Sequence, residues 1–135
     1  MSYFQWTHAL SVDDPSLDQD HQHLIGLINE LYGATEVQQD STALGYILQR
    51  LFEYTREHFA REEALMQKIN FADFSQHVKQ HQKLLERVVT LQAALAENRA
   101  YVAKETAELL KFWLSSHIHT SDRALALAVE NSRRI

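Results

Sequence analysis

Apolar residues recur every three or four positions along four long stretches of the chain, a spacing that gathers side chains on one face of an α-helix. The four stretches cover about residues 17–37, 41–69, 73–97 and 102 onwards. Ser41 and Asp73 stand at the start of the second and third stretches, where their side chains are suited to cap a helix. The pattern therefore predicts four amphipathic helices joined by short connections.

Four helices of this kind predict an all-α fold, an up-down-up-down antiparallel four-helix bundle. Residues 1–17 have apolar positions without a sustained helical period, so we expect an irregular N-terminal arm. The sequence also allows a short C-terminal helix after the fourth long one. Because the chain has neither an internal repeat nor a low-complexity linker, residues 1–135 are predicted to form a single domain.

Seven polar residues interrupt the apolar faces of these helices at core-facing positions. Helices one and three carry theirs near their starts, and helices two and four near their ends. In an antiparallel bundle all seven therefore fall near the same end. They are His21, His58, Glu62, His77, His81, His117 and Asp122. By contrast, His23 lies about 200° around the helix from His21, and Glu63 about 100° from Glu62, so we expect Glu63 in solvent.

Burying a polar group without a partner costs about 1–3 kcal/mol. Seven such groups would cost about 7–20 kcal/mol, whereas the total stability of a typical domain is about 5–15 kcal/mol. A bound metal would remove this cost, and we interpret the seven residues as metal ligands. Since the chain has no cysteine, the ligands are imidazole and carboxylate, which suit zinc, iron, copper or nickel.

Seven protein ligands are too many for one tetrahedral zinc ion, but they suit a pair of six-coordinate ions. If Glu62 and Asp122 bridge the ions together with an oxide or hydroxide, a single coordination position stays open. Five imidazoles divide three to two, and the open position falls on the ion with two. Such a pair could reduce a small molecule. Iron fits this chemistry best, although the spacing does not distinguish it from manganese.

The composition argues against several other functions. The net charge of −5 and the lack of a basic run argue against nucleic acid or an anionic membrane surface as partner. No stretch reaches the roughly 18 apolar residues of a membrane-spanning helix, and the N-terminus lacks the pattern of a secretory signal. We therefore expect a cytoplasmic protein without membrane insertion.

Several motifs resemble those of hemerythrins, in particular the single-domain bacterial members of that family. They are H-F-x-x-E-E at 58–63, H-x-x-x-H at 77–81, W-L-x-x-H-I-x-x-x-D at 113–122 and D-x-x-H-x-x-L at 18–24. Trp6 also corresponds to an amino-terminal tryptophan that is usual in the family. The resemblance covers nearly the whole chain, and the combined motif is specific.

The resemblance implies a pair of non-heme iron ions that binds dioxygen reversibly. One iron would be held by three imidazoles, and the other, with the open position, by two. These would be His77, His81 and His117 on the first iron, His21 and His58 on the second, with Glu62, Asp122 and an oxo or hydroxo group as bridges. The spacing from His21 and His117 suggests that four apolar residues line the dioxygen pocket, although the same residues suit ordinary core packing. They are Leu24, Ile25, Leu114 and Ile118.

The chain departs from the family at two positions. Asp20, directly before the first expected ligand, stands where glutamine is usual, and His119 stands where many relatives have an apolar residue. We expect His119 to be solvated; the sharper hypothesis is that it offers a proton near the site and tunes oxidation. His8 and His23 have no role that the sequence indicates.

The spacing of five between His117 and Asp122 is unsuited to a regular helix, in which the two lie about 140° apart. The sequence therefore predicts either a π-bulge at this point or a helix break at Thr120–Ser121, with a short helix following.

Two functional classes remain open. One is a binding protein that stores or transports dioxygen or delivers it to an oxygen-consuming enzyme. The other is a di-iron peroxidase or a nitric oxide or oxygen sensor-scavenger. No output domain or second-substrate cleft is evident, so we expect a binding protein and not an enzyme, with at most a weak peroxidase-type side activity. Iron storage is disfavoured because helical storage sites use mostly carboxylates.

Overall fold

The computed structural model describes residues 3–37, 41–95 and 99–133, and these residues are almost entirely helical. Four long helices are α1 (Pro15–Glu36), α2 (Ser41–Lys68), α3 (Phe74–Leu95) and α4 (Arg99–His117). α4 continues through one wide π turn, Ile118–Asp122, into α5, Arg123–Arg133. A short 3-10 helix, His8–Leu10, lies in the N-terminal arm. Since no strand occurs in these ranges, the predicted all-α fold is confirmed.

The four long helices form the predicted antiparallel bundle. Each packs on the next in the chain, and α1 also packs on α4, which closes the arrangement. The predicted apolar stripes face the interior, where Leu31, Leu48 and Leu51 are almost completely buried. Since α2 has 28 residues, it extends over about 42 Å and spans the length of the bundle.

Local signals account for where the helices begin. The side chain of Asp14 accepts a hydrogen bond from the backbone N–H of Leu17 at 3.0 Å, and Pro15 occupies the first helical position, where no N–H is needed. Asp73 directly precedes α3, as predicted for a capping residue. Ser41 is the first residue of α2, and its side chain lies outside the described part of the structure.

The N-terminal arm is irregular, as predicted, and is bonded to the bundle. The backbone N–H of Phe4 donates to Asn29 Oδ1 at 2.7 Å, and the Phe4 carbonyl accepts from Asn29 Nδ2 at 2.8 Å. Further along, Arg123 at the start of α5 donates to the carbonyls of Ala9 and Ser11 at 3.1 and 3.3 Å. The arm therefore belongs to the same compact unit as the helices.

The π turn follows His117 and ends at Asp122, so the π-bulge is the predicted alternative that occurs, and the helix does not break at Thr120–Ser121. The predicted short C-terminal helix is confirmed. A π turn contains an extra residue, so side chains five apart lie on the same face. Ser121 on this turn donates to Gln80 Oε1 at 2.6 Å, which joins the turn to α3.

Candidate metal centre

The seven residues that the sequence singled out come together in the interior of the bundle, and none is more than 5% exposed. They form two groups, and within each group one ligand atom of every residue lies within 4.8 Å of those of the other residues. The first group is Glu62, His77, His81, His117 and Asp122, and the second is His21, His58, Glu62 and Asp122. The three-to-two division of the imidazoles is the one that the sequence predicts, and the two carboxylates belong to both groups.

The two oxygens of Glu62 face different imidazoles. Glu62 Oε1 lies 3.3 Å from His77 Nε2 and 3.1 Å from His81 Nε2. Glu62 Oε2 lies 2.8 Å from His58 Nε2 and 3.7 Å from His21 Nε2. This division of oxygens is the arrangement expected of a carboxylate that bridges two ions.

Asp122 repeats the arrangement from the opposite helix. Its Oδ1 lies 3.2 Å from His77 Nε2 and 3.1 Å from His117 Nε2, whereas its Oδ2 lies 2.9 Å from His21 Nε2. The two carboxylates therefore present one oxygen to each group of imidazoles.

These close approaches do not satisfy the buried atoms. Within the described ranges, all four carboxylate oxygens of Glu62 and Asp122 lack a hydrogen-bond partner, as do His21 Nε2 and His58 Nε2. Such a concentration of buried imidazole nitrogens and carboxylate oxygens fits metal cations, because an unsatisfied buried polar group is costly. The residues present therefore fit the metal that the donor set predicts.

Protons compete for the same atoms. Burial alone would lower the pKa of His58, but Glu62 and Asp20 outweigh it and raise this pKa to about 10. Burial is likewise outweighed at His77, where Asp122 and Glu62 raise the pKa to about 9. Burial would raise the pKa of Glu62, but the surrounding imidazoles hold it well below its ordinary value. Cations must therefore displace protons to bind.

Aromatic rings cover two of the imidazoles. Phe59 stacks on His81 with ring centroids 3.7 Å apart and planes 2° apart. Trp113 stacks on His117 at 4.2 Å and 16°. These flat contacts restrict rotation of the imidazoles and keep water away from them.

A small apolar cavity adjoins Phe59 and Trp113. The volume that the centre of a water-sized molecule can reach inside it is about 10 Å³. Its lining is Leu24, Ile28, Leu51, Thr55, Phe59, Leu84, Leu110, Trp113 and Leu114. Two of the four residues expected around a dioxygen pocket, Leu24 and Leu114, are among them. The other two, Ile25 and Ile118, are buried in the core but do not border this cavity.

The expectation that Glu63 is solvated was wrong. Glu63 is only 32% exposed, and its Oε2 accepts a hydrogen bond from His81 Nδ1 at 3.0 Å. A rotation of about 100° from Glu62 still lets a long side chain reach around the helix to α3. Sequence reasoning also missed the contact between Asp20 and His58, whose Oδ2 and Nδ1 atoms are 2.8 Å apart. A contact between two helices leaves no signal in the spacing along either one.

Three other histidines lie outside the cluster. His8, His23 and His119 are exposed. The His23 ring packs on Tyr54 with centroids 4.1 Å apart. The exposure of His119 agrees with the expectation that it is solvated.

A four-helix bundle whose interior holds two sets of imidazoles and two carboxylates common to both sets belongs to the class of helical bundles that build a metal site from side chains on facing helices. The chain belongs to the hemerythrin family, because the profile of the hemerythrin HHE cation binding domain matches residues 13–128. This confirms the resemblance that the motifs indicated.

Relatives agree with this assignment. The chain is 30% identical over 124 residues to a bacteriohemerythrin of Methylococcus capsulatus (strain ATCC 33009 / NCIMB 11132 / Bath), covering 91% of this chain and 94% of that protein. It is 27% identical over 126 residues to a bacteriohemerythrin of Stenotrophomonas maltophilia (strain R551-3), covering 93% and 81%. It is 29% identical over 119 residues to a myohemerythrin of Theromyzon tessulatum, covering 88% of each.

The fold is also similar to solved structures. A crystal structure of wild-type hemerythrin superimposes with a TM-score of 0.87 at 27% sequence identity, covering 95% of this chain and 98% of that one. These relatives are hemerythrins by name, and none of them is named as an enzyme. Within the described residues, no helix combines the length and the apolar character needed to cross a bilayer.

Proposed function

We propose that this chain binds dioxygen reversibly at two non-heme iron ions. It thereby stores or transports dioxygen, or delivers it to an oxygen-consuming enzyme. The family assignment and the buried imidazole and carboxylate cluster support iron as the metal. In this proposal, three imidazoles hold one iron and two hold the other. They are His77, His81 and His117 for the first iron and His21 and His58 for the second, with Glu62, Asp122 and an oxo or hydroxo group as bridges.

The observation that carries the proposal is the division of carboxylate oxygens between the two imidazole sets. Glu62 and Asp122 each turn one oxygen toward each set, so the same seven residues can hold two ions close together. The set with only His21 and His58 has fewer protein ligands, so the ion that it would hold would keep a free coordination position. When bound, the two irons supply the electrons that dioxygen takes up on binding and returns on release.

The surroundings of the cluster favour reversible binding over further reaction. Phe59 and Trp113 stack on His81 and His117, and the adjoining cavity is lined mostly by apolar side chains. Leu24 lines the cavity and lies on the same helix as His21, and Leu114 lines it and lies on the same helix as His117. These apolar side chains limit the access of water, which would promote release of reduced oxygen species.

The test is to reconstitute the metal-free chain with ferrous iron under anaerobic conditions, measure iron per chain, and then add dioxygen. A coloured adduct that disappears under vacuum and returns with dioxygen is the expected result. Rapid irreversible oxidation with turnover of added peroxide would instead support the peroxidase alternative. Binding of far less than two irons per chain would contradict the proposal.

A further inference from the structure

The carboxylate of Asp20 on α1 accepts four hydrogen bonds from three side chains of α2. Asp20 Oδ2 accepts from His58 Nδ1 at 2.8 Å and from Arg61 Nε at 3.1 Å. Asp20 Oδ1 accepts from the Tyr54 hydroxyl at 2.7 Å and from Arg61 Nη2 at 3.0 Å. Asp20 is only 16% exposed, so this network joins two helices directly behind the cluster.

The bond to His58 determines which nitrogen of that ring faces the cluster. With its proton on Nδ1 and directed at Asp20, the ring presents Nε2 to Glu62 Oε2, 2.8 Å away. A carboxylate behind a metal-bound imidazole also raises its strength as a ligand. His21, the other imidazole of the smaller set, has no hydrogen-bond partner at Nδ1 among the residues that the structure describes. In that part of the chain, His58 is therefore the imidazole of the smaller set with a carboxylate at its Nδ1.

Arg61 and Tyr54 donate the other three hydrogen bonds that the Asp20 carboxylate accepts. Arg61 approaches Asp20 with two nitrogens, as a guanidinium does with a carboxylate. It therefore draws part of the negative charge away from the oxygen that His58 shares.

We infer that Asp20 is a positioning residue that orients His58 and strengthens it as a ligand, and that Arg61 limits this effect. The inference rests on the proposed function, since it takes His58 as an iron ligand. A stronger imidazole favours the ferric over the ferrous state. Asp20 would then lower the reduction potential of the iron that His58 holds, and Arg61 would raise it.

The experiment compares the midpoint potential and the ferrous-ion affinity of the reconstituted chain with those of two variants. Asp20→Asn keeps the shape of the side chain and removes its charge. It should raise the potential and weaken the binding of one of the two ions by about 10–100-fold. Arg61→Met should lower the potential. A general loosening of the site would shift the midpoint potentials of both variants in the same direction, and that result would overturn the inference.

Glu57→Gln is the matched control, because Glu57 is exposed, directly precedes His58, and its charge acts on Arg61 and Tyr54. If the loss of any neighbouring negative charge were sufficient, this variant would shift the potential as much as Asp20→Asn does, which would also overturn the inference. A much smaller shift supports transmission through the hydrogen bond to His58.

A measurement without iron separates this inference from the proposed function. In the metal-free wild-type chain, NMR should show a slowly exchanging His58 Nδ1–H proton that is lost in Asp20→Ala. Its absence from the wild type overturns the inference, whatever the iron content. Conversely, a wild-type chain that shows the proton but binds no iron pair contradicts the proposed function while the contact between Asp20 and His58 stands.

Discussion

His117 Nε2 and Asp122 Oδ1 lie 3.1 Å apart, although the two residues are five apart in the chain. The π turn between them brings Asp122 back to the face of the helix that carries His117. In a regular α-helix, a spacing of four would have the same effect, and the pairs His77–His81 and His58–Glu62 use that spacing. The π turn is therefore equivalent to one residue inserted into a regular helix.

This equivalence predicts opposite results for deletion and insertion at Thr120, which is exposed. Deleting Thr120 leaves a regular helix in which Asp122 stays about 40° from His117, so binding of two ions should persist. Inserting one alanine after Thr120 turns Asp122 away and should remove at least one ion per chain. Metal analysis after anaerobic reconstitution gives the comparison, with Thr120→Ala as the control. Loss of metal in the deletion variant and not in the insertion variant would contradict the geometry.

Replacing Glu62 and replacing His21 should have different effects on the number of ions that the chain binds. Glu62 faces both sets of imidazoles, so Glu62→Gln should lower the affinity for both ions. His21 belongs to the smaller set alone, so His21→Gln should release one ion and leave the other bound by three imidazoles. Titration with ferrous iron should give less than one tightly bound ion per chain for the first variant and about one for the second. Equal stoichiometry in the two variants would show that the carboxylate does not bridge.

The metal-free chain should lose stability as pH rises. The pKa of His58 is raised to about 10 and that of His77 to about 9, so the protonated imidazoles stabilise the fold. That contribution is complete below the ordinary pKa of 6.5 and is lost as pH rises toward 10. Urea unfolding at pH 6.5 and pH 9.5 should therefore show the lower free energy of unfolding at the higher pH.

The metal-loaded chain provides the contrast in the same pH range. Bound ions replace the protons, and their affinity rises with pH because fewer protons compete. The extra stability conferred by metal should thus be larger at pH 9.5 than at pH 6.5. A metal-free chain that grows more stable over this range would show that the imidazoles of the folded state are not preferentially protonated.

The heights and faces of the ligands could be predicted because helical spacing places them. His58 and Glu62 continue an apolar stripe, and the alternating direction of the helices brings distant positions to one end. The side chains that contact the Nδ1 atoms of the ligand imidazoles could not be predicted in this way. Asp20 and Glu63 reach an imidazole on the neighbouring helix, and the rotation of each helix about its own axis decides which side chains meet there.

Replacing Leu24, which lines the apolar cavity and is almost completely buried, should enlarge the cavity and destabilise the fold. Leu24→Ala should lower the free energy of unfolding by about 2–5 kcal/mol, because the space left behind is filled only in part. The enlarged cavity should also bind xenon, as dry apolar cavities do, and xenon NMR can detect it. Leu127→Ala, which removes an exposed leucine from α5, should change neither quantity. Equal xenon binding in the two variants would show that the cavity does not extend to Leu24.

The cluster draws side chains from positions as far apart as His21 and Asp122, and Arg123 then bonds to the arm that precedes the first helix. A chain emerging from the ribosome therefore has no complete metal site until the π turn has been synthesised. Under the proposed function, iron that arrives earlier would meet an unfinished set of ligands, without Asp122. Metal loading would then be a late event in the life of each molecule, after translation has passed Asp122.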